Sequence, residues 1–576
     1  MADKTGISDA EQRGDAAGAA GDTVADWGDD ISPTARFLSR CALCASVVCV
    51  VGYVVIGLMR LGYPYELEWM EGGCVDIALR IRAGQPVYVE PGIAYAPFVY
   101  PPLYYWLVAQ VMGVAGEGFL AGRLVSYAST LGVMALIFSL ARRETGGVRA
   151  GLLSAALYAA SFEVTGLWFD VVRVDNLALF FVVAGWRALR MGRGMAAGAV
   201  AGLLFGLGAL TKQTCMIPAF CMAAGLALSD RRSAAAFCAV FAAVFGGISM
   251  WLNSVSHGWY GFYVFDLPRS HELFGFAFHH FWRQDIFWNY TVAFLCAAYL
   301  IVDLWNSRSA GESSQNVARA GVKPVPVRDA VNSGGMPSRI FYPAALAGAL
   351  LSAWTGRVRS GGGTNALLPA AAAISLLYGP AFYRLLANIR NIGEGVLPLQ
   401  QEEQGQPAIR QKSSIPSPFF TLAWGAALAQ FFVLIFDPGT YLFSVTDERI
   451  AENYIRLLGS YEGEVFAPWH GYLPRKAGKQ PNGHWMALYD VVRSSGEKTR
   501  PAREKLMREI DGAIADGRFD AIIADADGYA EIEELVVKRH PGVYRMREGV
   551  PICSPVAGPK CRVVYVLERT AENRKK

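Results

Sequence analysis

Long apolar segments, separated by short polar stretches, fill most of the chain between residues 34 and 437. A helix needs about 17 to 25 mainly apolar residues to cross the ~30 Å hydrocarbon core of a bilayer. The pattern predicts about eleven crossing helices, at residues 36–60, 119–141, 150–168, 176–190, 195–211, 214–228, 234–253, 286–305, 340–355, 366–388 and 417–437. We therefore expect an α-helical, polytopic membrane protein.

The apolar segment 102–117 begins beside Pro101 and is only marginally long enough to cross a bilayer. We interpret it as an interfacial helix. With the N-terminus in the cytoplasm, this interpretation places nearly every later Lys and Arg cluster on the cytoplasmic side, as the positive-inside rule requires. The prediction is a multi-pass protein of the cell (inner or plasma) membrane, with the first outer loop 61–118 and everything after residue 437 extracytoplasmic.

Polar segments precede and interrupt the membrane region 34–437. Residues 1–33 carry hardly any large apolar side chains, so we expect a disordered cytoplasmic tail. Residues 306–339 and 389–416 are rich in Ser, Gly, Gln, Pro and charge, which is typical of flexible linkers, here cytoplasmic ones.

Beyond residue 438 the chain changes to shorter apolar patterns, typical of a small soluble α/β domain that we expect over residues 438–576. The predicted helices are 447–459 and 501–517, and the predicted strands are 464–468, 519–524 and 562–567. Cys553 and Cys561 lie in this domain on either side of a turn, and an oxidising compartment favours a disulfide between them. Free thiols are the alternative, because the spacing alone does not fix the Cα distance.

The composition makes a bilayer the main solvent, because only 18% of the residues are charged, against about a quarter in soluble domains. The net charge is +4 and the basic residues lie in short clusters. We therefore expect membrane lipids as partners and no nucleic acid.

Three carboxylates, Glu66, Glu68 and Glu71, lie within six residues in the segment 65–73, the acidic loop. Glu68 and Glu71 are three apart, so on a helix they would share one face. Such a pair could provide a general base and a partner that tunes it, or could ligate a divalent cation. The alternative is a solvated acidic loop.

Cationic side chains lie near the predicted outer ends of several helices, and the glycines at 361–363 permit close backbone approach to a ligand. Cations at that depth are costly and are retained mostly where they meet an anion, for which a lipid phosphate is the obvious candidate. Snorkelling interface anchors are the alternative interpretation. With their polar neighbours, the candidate substrate-binding residues are Arg123, Arg173, Asp175, Lys212, Arg357, Arg359 and Asn365.

Short motifs follow one another through residues 61–370, at 68–72, 100–105, 123–126, 173–178, 211–214 and 361–369. As an ordered set they resemble the GT-C glycosyltransferases, in particular the branch related to protein O-mannosyltransferases and aminoarabinose transferases. The resemblance implies a GT-C-like fold in which interfacial helices accompany the crossing helices. It also implies an enzyme that transfers a hexose or pentose from a polyprenyl-phosphate donor to a hydroxyl of a glycan, lipid or protein, with inversion.

By the same resemblance, an acidic residue of the first outer loop deprotonates the acceptor. Members of the family commonly carry Asp where this chain has Glu68, which leaves both Glu68 and Glu71 open as the catalytic base. The family divides over a divalent cation such as Mg or Mn; if one is present, Glu68, Glu71 and Asp175 are the expected ligands. No other cofactor is expected.

A transporter and a non-catalytic, lipid-phosphate-binding scaffold are the competing classes. A transporter should show internal repeats and broken helices in matching halves, with its polar residues near the midplane. In this sequence no such repeat is evident, and the acids cluster at one face. A scaffold would not need acids and cations facing each other at the depth of a lipid phosphate. The sequence therefore favours the glycosyltransferase.

Overall fold

The computed structural model describes residues 32–306, 335–395, 417–525, 533–551 and 563–570. Each predicted crossing segment contains a helix. Within these residues, seven helices are long and apolar enough to cross a membrane, at Pro33–Leu61, Phe119–Thr145, Gly194–Thr211, Arg231–Val255, Gly275–Asn306, Thr364–Arg390 and Pro418–Tyr441. The predicted fold class is confirmed. Most of the predicted tail and linkers, and both Cys553 and Cys561, lie outside the described residues.

The helices up to residue 437 pack around one continuous apolar core. In chain order they are Pro33–Leu61, Glu71–Arg82, Leu103–Ala115, Phe119–Thr145, Val148–Ala160, Asp175–Met191, Gly194–Thr211, Met216–Ser229, Arg231–Phe241, Ile248–Val255, Trp259–Gly261, Leu267–Arg269, Gly275–His280, Asn289–Asn306, Ser338–Arg357, Leu368–Gly395 and Ser417–Val433. Short 3₁₀ or π-helical turns lie between or after them, at Gln213–Cys215, Ala242–Gly247, Phe262–Asp266, Phe281–Trp288, Thr364–Leu367 and Pro438–Tyr441.

The helix predicted at 150–168 is shorter than expected and spans only Val148–Ala160. Gly166 and Leu167 have φ angles of 84° and 67°, which a right-handed helix cannot contain. The chain therefore turns through residues 161–174, most of which are buried in the core instead of facing lipid. The interfacial position of the helix near 102–117 stays a prediction.

The α/β domain contains a four-stranded sheet whose strands are β1 Val465–Phe466, β2 Ala521–Asp525, β3 Tyr544–Pro551 and β4 Val563–Arg569. The strand order is β1-β2-β4-β3, with β1 and β2 parallel and the other neighbours antiparallel. The helices of the domain are Val445–Gly459, Tyr472–Lys476, Trp485–Val492 and Arg500–Ala515, with a π-helical turn at Glu533–Lys538.

Strand β3 is the strand that the apolar pattern does not predict. Arg545 and Arg547 interrupt its apolar residues, and its pairing with β4 shifts register between Arg547 and Val550. Backbone pairing with β4, which carries the buried residues Val566 and Leu567, holds the strand in the sheet.

The α/β domain packs directly on the loop that follows the first helix. Lys476 Nζ donates a hydrogen bond to the carbonyl of Pro64 at 2.8 Å. A Cβ atom on Gly471 would lie 2.6 Å from the backbone nitrogen of Gly73, so the two backbones approach where a larger residue does not fit. The first loop and the domain therefore lie on the same side of the membrane region.

Candidate active site

A cavity of about 380 Å³ lies where the α/β domain meets the ends of several membrane helices. Its apolar lining includes Leu179, Val182 and Trp186, which lie on the helix that begins at Asp175. At 1.5 Å per residue, Trp186 lies about 16 Å along the helix from Asp175. The cavity is charged at the opposite end, where its lining includes Arg173, Asp175, Lys212, Arg359, Asn365, Asp490 and Arg493.

At the charged end, four of the predicted residues lie together: Asp175, Lys212, Asn365 and Arg173. The Oδ1 atom of Asp175 accepts hydrogen bonds from Lys212 Nζ at 2.5 Å and from Asn365 Nδ2 at 3.0 Å. Its Oδ2 atom lies 3.9 Å from Arg173 Nε and has no hydrogen-bond partner among the described residues. Lys212 follows the end of one helix and Asp175 begins another, so two helix ends place this ion pair in the cavity.

The Arg173 guanidinium lies between the cavity and the acidic loop. Its Nη2 atom donates to the Tyr100 hydroxyl at 3.3 Å, and its Cζ atom lies 4.6 Å from the centroid of a Trp168 ring. Its Nη1 atom lies 3.8 Å from Glu68 Oε2. Aromatic faces stabilise a desolvated cation, so these rings hold the charge at the cavity wall.

Glu71 is buried in a saturated ion pair with Arg123. Arg123 donates to Glu71 Oε1 through Nε at 2.9 Å and to Oε2 through Nη2 at 2.6 Å. The amides of Val172 and Leu67 donate to the same two oxygens at 2.8 and 2.7 Å. The fold already uses both oxygens of Glu71, and within the described chain neither Glu71 nor Arg123 lines the cavity.

Glu68 lies in the same loop but keeps an unused oxygen. Oε2 accepts a hydrogen bond from the Met70 amide at 3.1 Å, whereas Oε1 has no partner in the described part of the chain. Burial raises the pKa of Glu68 to about 8, and Arg173 offsets this only in part. Glu68 is fully buried, and its neighbours Trp69 and Met70 line the cavity in its place. A carboxyl group with a raised pKa and an unused oxygen is suited to accept a proton.

Arg357 and Arg359 precede the glycine-rich loop, residues 360–363, and have different surroundings. Arg357 forms an ion pair with Asp285 at 2.9 Å and donates to a carbonyl of the loop, so it supports the loop from outside the cavity. Arg359 lines the cavity and donates to the carbonyl of Pro268 at 2.6 Å.

A second buried cluster ties the acidic loop to the α/β domain. His470 Nδ1 lies 2.6 Å from Glu66 Oε2, and His470 Nε2 lies 3.0 Å from Asp525 Oδ1. Burial would lower the pKa of His470, but Asp525 and Glu66 raise it to about 10, so the protonated ring donates to both carboxylates. Burial raises the pKa of Glu66 to about 7, although His470 opposes the shift.

No motif in the sequence marks the contribution of the α/β domain to the cavity. Asp490 and Arg493 line it from the C-terminal end of helix Trp485–Val492. Their partners, His271 and Ser360, are distant in sequence, so no local spacing marks the site. One feature of the sequence that could indicate the site is Asp490, a carboxylate in a helix whose other residues are mostly apolar.

The carboxylates expected to ligate a divalent cation do not form a cation site. Both oxygens of Glu71 and one oxygen of Asp175 already accept N–H donors. Among the described residues, no group of three or more His, Cys, Asp and Glu side chains could hold a metal ion. These residues do not fit a bound divalent cation, and no chemical step is assigned to one.

Comparisons with known proteins agree with this architecture. Residues 99–256 match the family described as dolichyl-phosphate-mannose-protein mannosyltransferase. ArnT from Cupriavidus metallidurans in the apo state is similar in structure, with a TM-score of 0.50 and 15% identity over 92% of this chain and 98% of that one. The same protein bound to undecaprenyl phosphate gives 0.47, with 13% identity over 91% and 98%.

The apo oligosaccharyltransferase of Archaeoglobus fulgidus gives a TM-score of 0.43, with 12% identity over 91% of this chain and 74% of that one. Comparison with curated protein sequences gave no significant match. The helical region, the family match and the ArnT-like fold define a multi-pass membrane protein of GT-C architecture. The resemblance to GT-C membrane glycosyltransferases seen in the motifs is confirmed by the family match over residues 99–256 and by the ArnT-like fold.

Proposed function

We propose that the protein transfers a sugar from a polyprenyl-phosphate donor to an acceptor hydroxyl on the extracytoplasmic face of the membrane, with inversion at the anomeric carbon. The observation that supports this most is the division of the cavity into a cationic end and an apolar arm along about 16 Å of helix. A lipid phosphate has the same division, with an anionic head and a hydrocarbon chain. The family matched by residues 99–256 is described by a donor of this class.

In this proposal the cationic end holds the phosphate of the donor. Lys212 and Arg173 lie where the apolar arm begins, and a phosphate there gains charge-assisted hydrogen bonds. Asp175 and Asn365 orient the Lys212 ammonium. When the bond between the anomeric carbon and the phosphate oxygen breaks, the phosphate gains negative charge that these cations stabilise.

Glu68 is the catalytic base, and Glu71 holds the loop in place. Ionised Glu68 takes the proton of the acceptor hydroxyl while the hydroxyl oxygen attacks the anomeric carbon. The polyprenyl phosphate leaves with the electrons of the broken bond, so a single displacement inverts the configuration. Because Glu68 is buried, the acceptor reaches it only after the flexible Met70 side chain moves from the cavity wall.

Purified full-length protein in proteoliposomes tests the proposal, with undecaprenyl-phosphate hexoses and pentoses as donors and an envelope extract as acceptor. We expect mass spectrometry to detect free undecaprenyl phosphate and a glycosylated acceptor with at least one donor, and neither product with Glu68→Gln. A parallel series with EDTA measures whether any divalent cation is required. Movement of an intact donor across the bilayer without cleavage would favour a transporter, and binding without cleavage would favour a scaffold.

The orientation requires a separate experiment. Gln480 is an exposed residue of the α/β domain. In cells, a Gln480→Cys variant should react with a membrane-impermeant maleimide more strongly than the unsubstituted protein does. Labelling that appears only after lysis would place the domain, and the cavity with it, on the cytoplasmic side.

A further inference from the structure

Arg493 is a cation that the α/β domain contributes to the cavity. It follows helix Trp485–Val492 and lines the same cavity as Lys212 and Arg359. The sequence motifs do not include it, and neither do the residues assigned above to donor binding and catalysis.

Contacts among three chain segments fix the position of Arg493. Arg493 Nη1 donates to Ser360 Oγ at 3.0 Å, and Nη2 donates to Asp490. His271 Nε2 lies 3.1 Å from the carbonyl oxygen of Asp490, and Ser495 Oγ donates to the carbonyl of Ser270 at 2.7 Å. The segments near residues 270, 360 and 490 therefore form one wall of the cavity.

The guanidinium retains donors that the protein does not use. A guanidinium has five N–H donors. Arg493 Nε is buried and has no hydrogen-bond partner in the described chain, although the side chain as a whole is 14% exposed. A buried donor without a partner is costly, and the side chain that carries it lines the cavity, so a ligand that draws the guanidinium forward would satisfy it.

Gly361 brings the backbone of the glycine-rich loop against this guanidinium. A Cβ atom at Gly361 would lie 2.7 Å from Arg493 Nη2, and the residue has a φ angle of 82°. A side chain there would be strained and would displace the arginine. The loop thus leaves space for Arg493 at the cavity wall.

The charge of the cavity lining is unbalanced. The charged residues that line it, among those the structure describes, are Arg173, Lys212, Arg359, Arg493, Asp175 and Asp490, four cations and two carboxylates. The difference, four minus two, is two positive charges. No carboxylate of the described chain forms an ion pair with Arg359, which precedes Ser360 on the wall that carries Arg493. The excess positive charge therefore lies partly on this wall.

We propose that Arg493 and Arg359 bind a phosphate group of a substrate, so that the α/β domain completes the substrate site. The proposal rests on the proposed function for the identity of the lipid donor. The phosphate belongs either to the polyprenyl donor or to the acceptor, and the binding measurements below distinguish the two sources. A guanidinium offers planar, charged N–H donors that match the oxygens of a phosphate.

The test uses the full-length protein in detergent with undecaprenyl phosphate and, separately, inorganic phosphate as probes. Affinity is measured for the wild type, for Arg493→Gln and Arg493→Lys, and for Arg508→Gln, which removes an exposed arginine of the same domain. We expect Arg493→Gln to weaken the binding of at least one probe about tenfold or more, because a hydrogen bond to a charged group is lost. Arg493→Lys should recover part of the loss, and Arg508→Gln should bind like the wild type.

The two probes and the kinetics separate the possible outcomes. Weaker binding of undecaprenyl phosphate assigns the phosphate to the donor. Unchanged binding of undecaprenyl phosphate, with weaker binding of inorganic phosphate and a raised acceptor KM, assigns it to the acceptor. If Arg493→Gln folds like the wild type, judged by its thermal unfolding, and both affinities and both KM values are unchanged, the proposal is wrong. If the wild type binds inorganic phosphate through Arg493 but does not bind undecaprenyl phosphate, the proposed function is wrong. The phosphate site at Arg493 is then still supported.

Discussion

Glu68 and Glu71, three residues apart in the acidic loop, have the same side chain in opposite surroundings. Glu71 accepts four N–H donors, two of them from Arg123, and is closed off from the cavity. In the described chain Glu68 accepts one, from Met70, and its nearest cation is the Arg173 guanidinium at 3.8 Å. A saturated carboxylate stabilises the fold, whereas an unsaturated one retains the capacity to accept a proton. These surroundings agree with the proposed roles, in which Glu71 holds the loop and Glu68 is the base.

The largest expected effect is on turnover. Glu68→Gln keeps the shape of the side chain but removes the base, so kcat should fall by about 10²- to 10⁴-fold with little change in donor affinity. Single-turnover kinetics with a saturating lipid-linked donor measures the effect, and Glu90→Gln, at an exposed residue of the same loop region, is the matched control. Near-normal turnover in Glu68→Gln, together with loss of activity in Glu71→Gln, would reverse the two roles.

Removing Arg123 from its ion pair with Glu71 should lower the stability of the protein more than its catalytic rate. Arg123→Met leaves Glu71 buried without its ion-pair partner, which costs about 3–5 kcal/mol of unfolding free energy. Unfolding by SDS titration in mixed micelles measures this. Arg82→Met, at a half-exposed pair with Glu117, should cost less than about 1 kcal/mol. Equal losses in the two variants would contradict the assignment of the Glu71 pair to structure.

The pH dependence should also distinguish the two carboxylates. Glu68 must be ionised to accept a proton, and burial raises its pKa to about 8. Activity is therefore lost as the pH falls below this value: kcat/KM should decrease about tenfold per unit and reach about a hundredth of its plateau near pH 6. A profile that stays flat down to pH 5 would argue against Glu68 as the base.

The smallest of these effects concerns donor binding. Lys212→Met removes a phosphate contact and should raise the donor KM about tenfold, with a smaller change in kcat. Lys505→Met, at an exposed ion pair between the α/β domain and Glu90 of the first outer loop, is the control. Because Asp175 loses its partner, thermal unfolding of the variant should be compared with that of the wild type. An unchanged KM in a folded variant would remove Lys212 from the site.

The sequence predicts well the positions of helices, which depend on the length of each apolar segment. Helices occur in every predicted crossing segment, and Asp175 and Lys212 meet as the placement of both residues on one face implies. The sequence could not separate Glu68 from Glu71, because the difference depends on backbone donors such as the Val172 amide, about a hundred residues away. It could not find Arg493 for the same reason, since its contact with Ser360 exists only after the α/β domain has packed.

The buried Glu66–His470–Asp525 cluster has a consequence for the evolution of the chain. Glu66 lies 404 residues before His470 in the chain, yet a change in one member leaves a buried charge in the others without its partner. Substitution at Glu66 should therefore be accompanied by substitution at His470 or Asp525 in related chains. Such coupled substitution would mean that the membrane region and the α/β domain are inherited as a pair, and that exchanging either one between relatives requires exchanging the other.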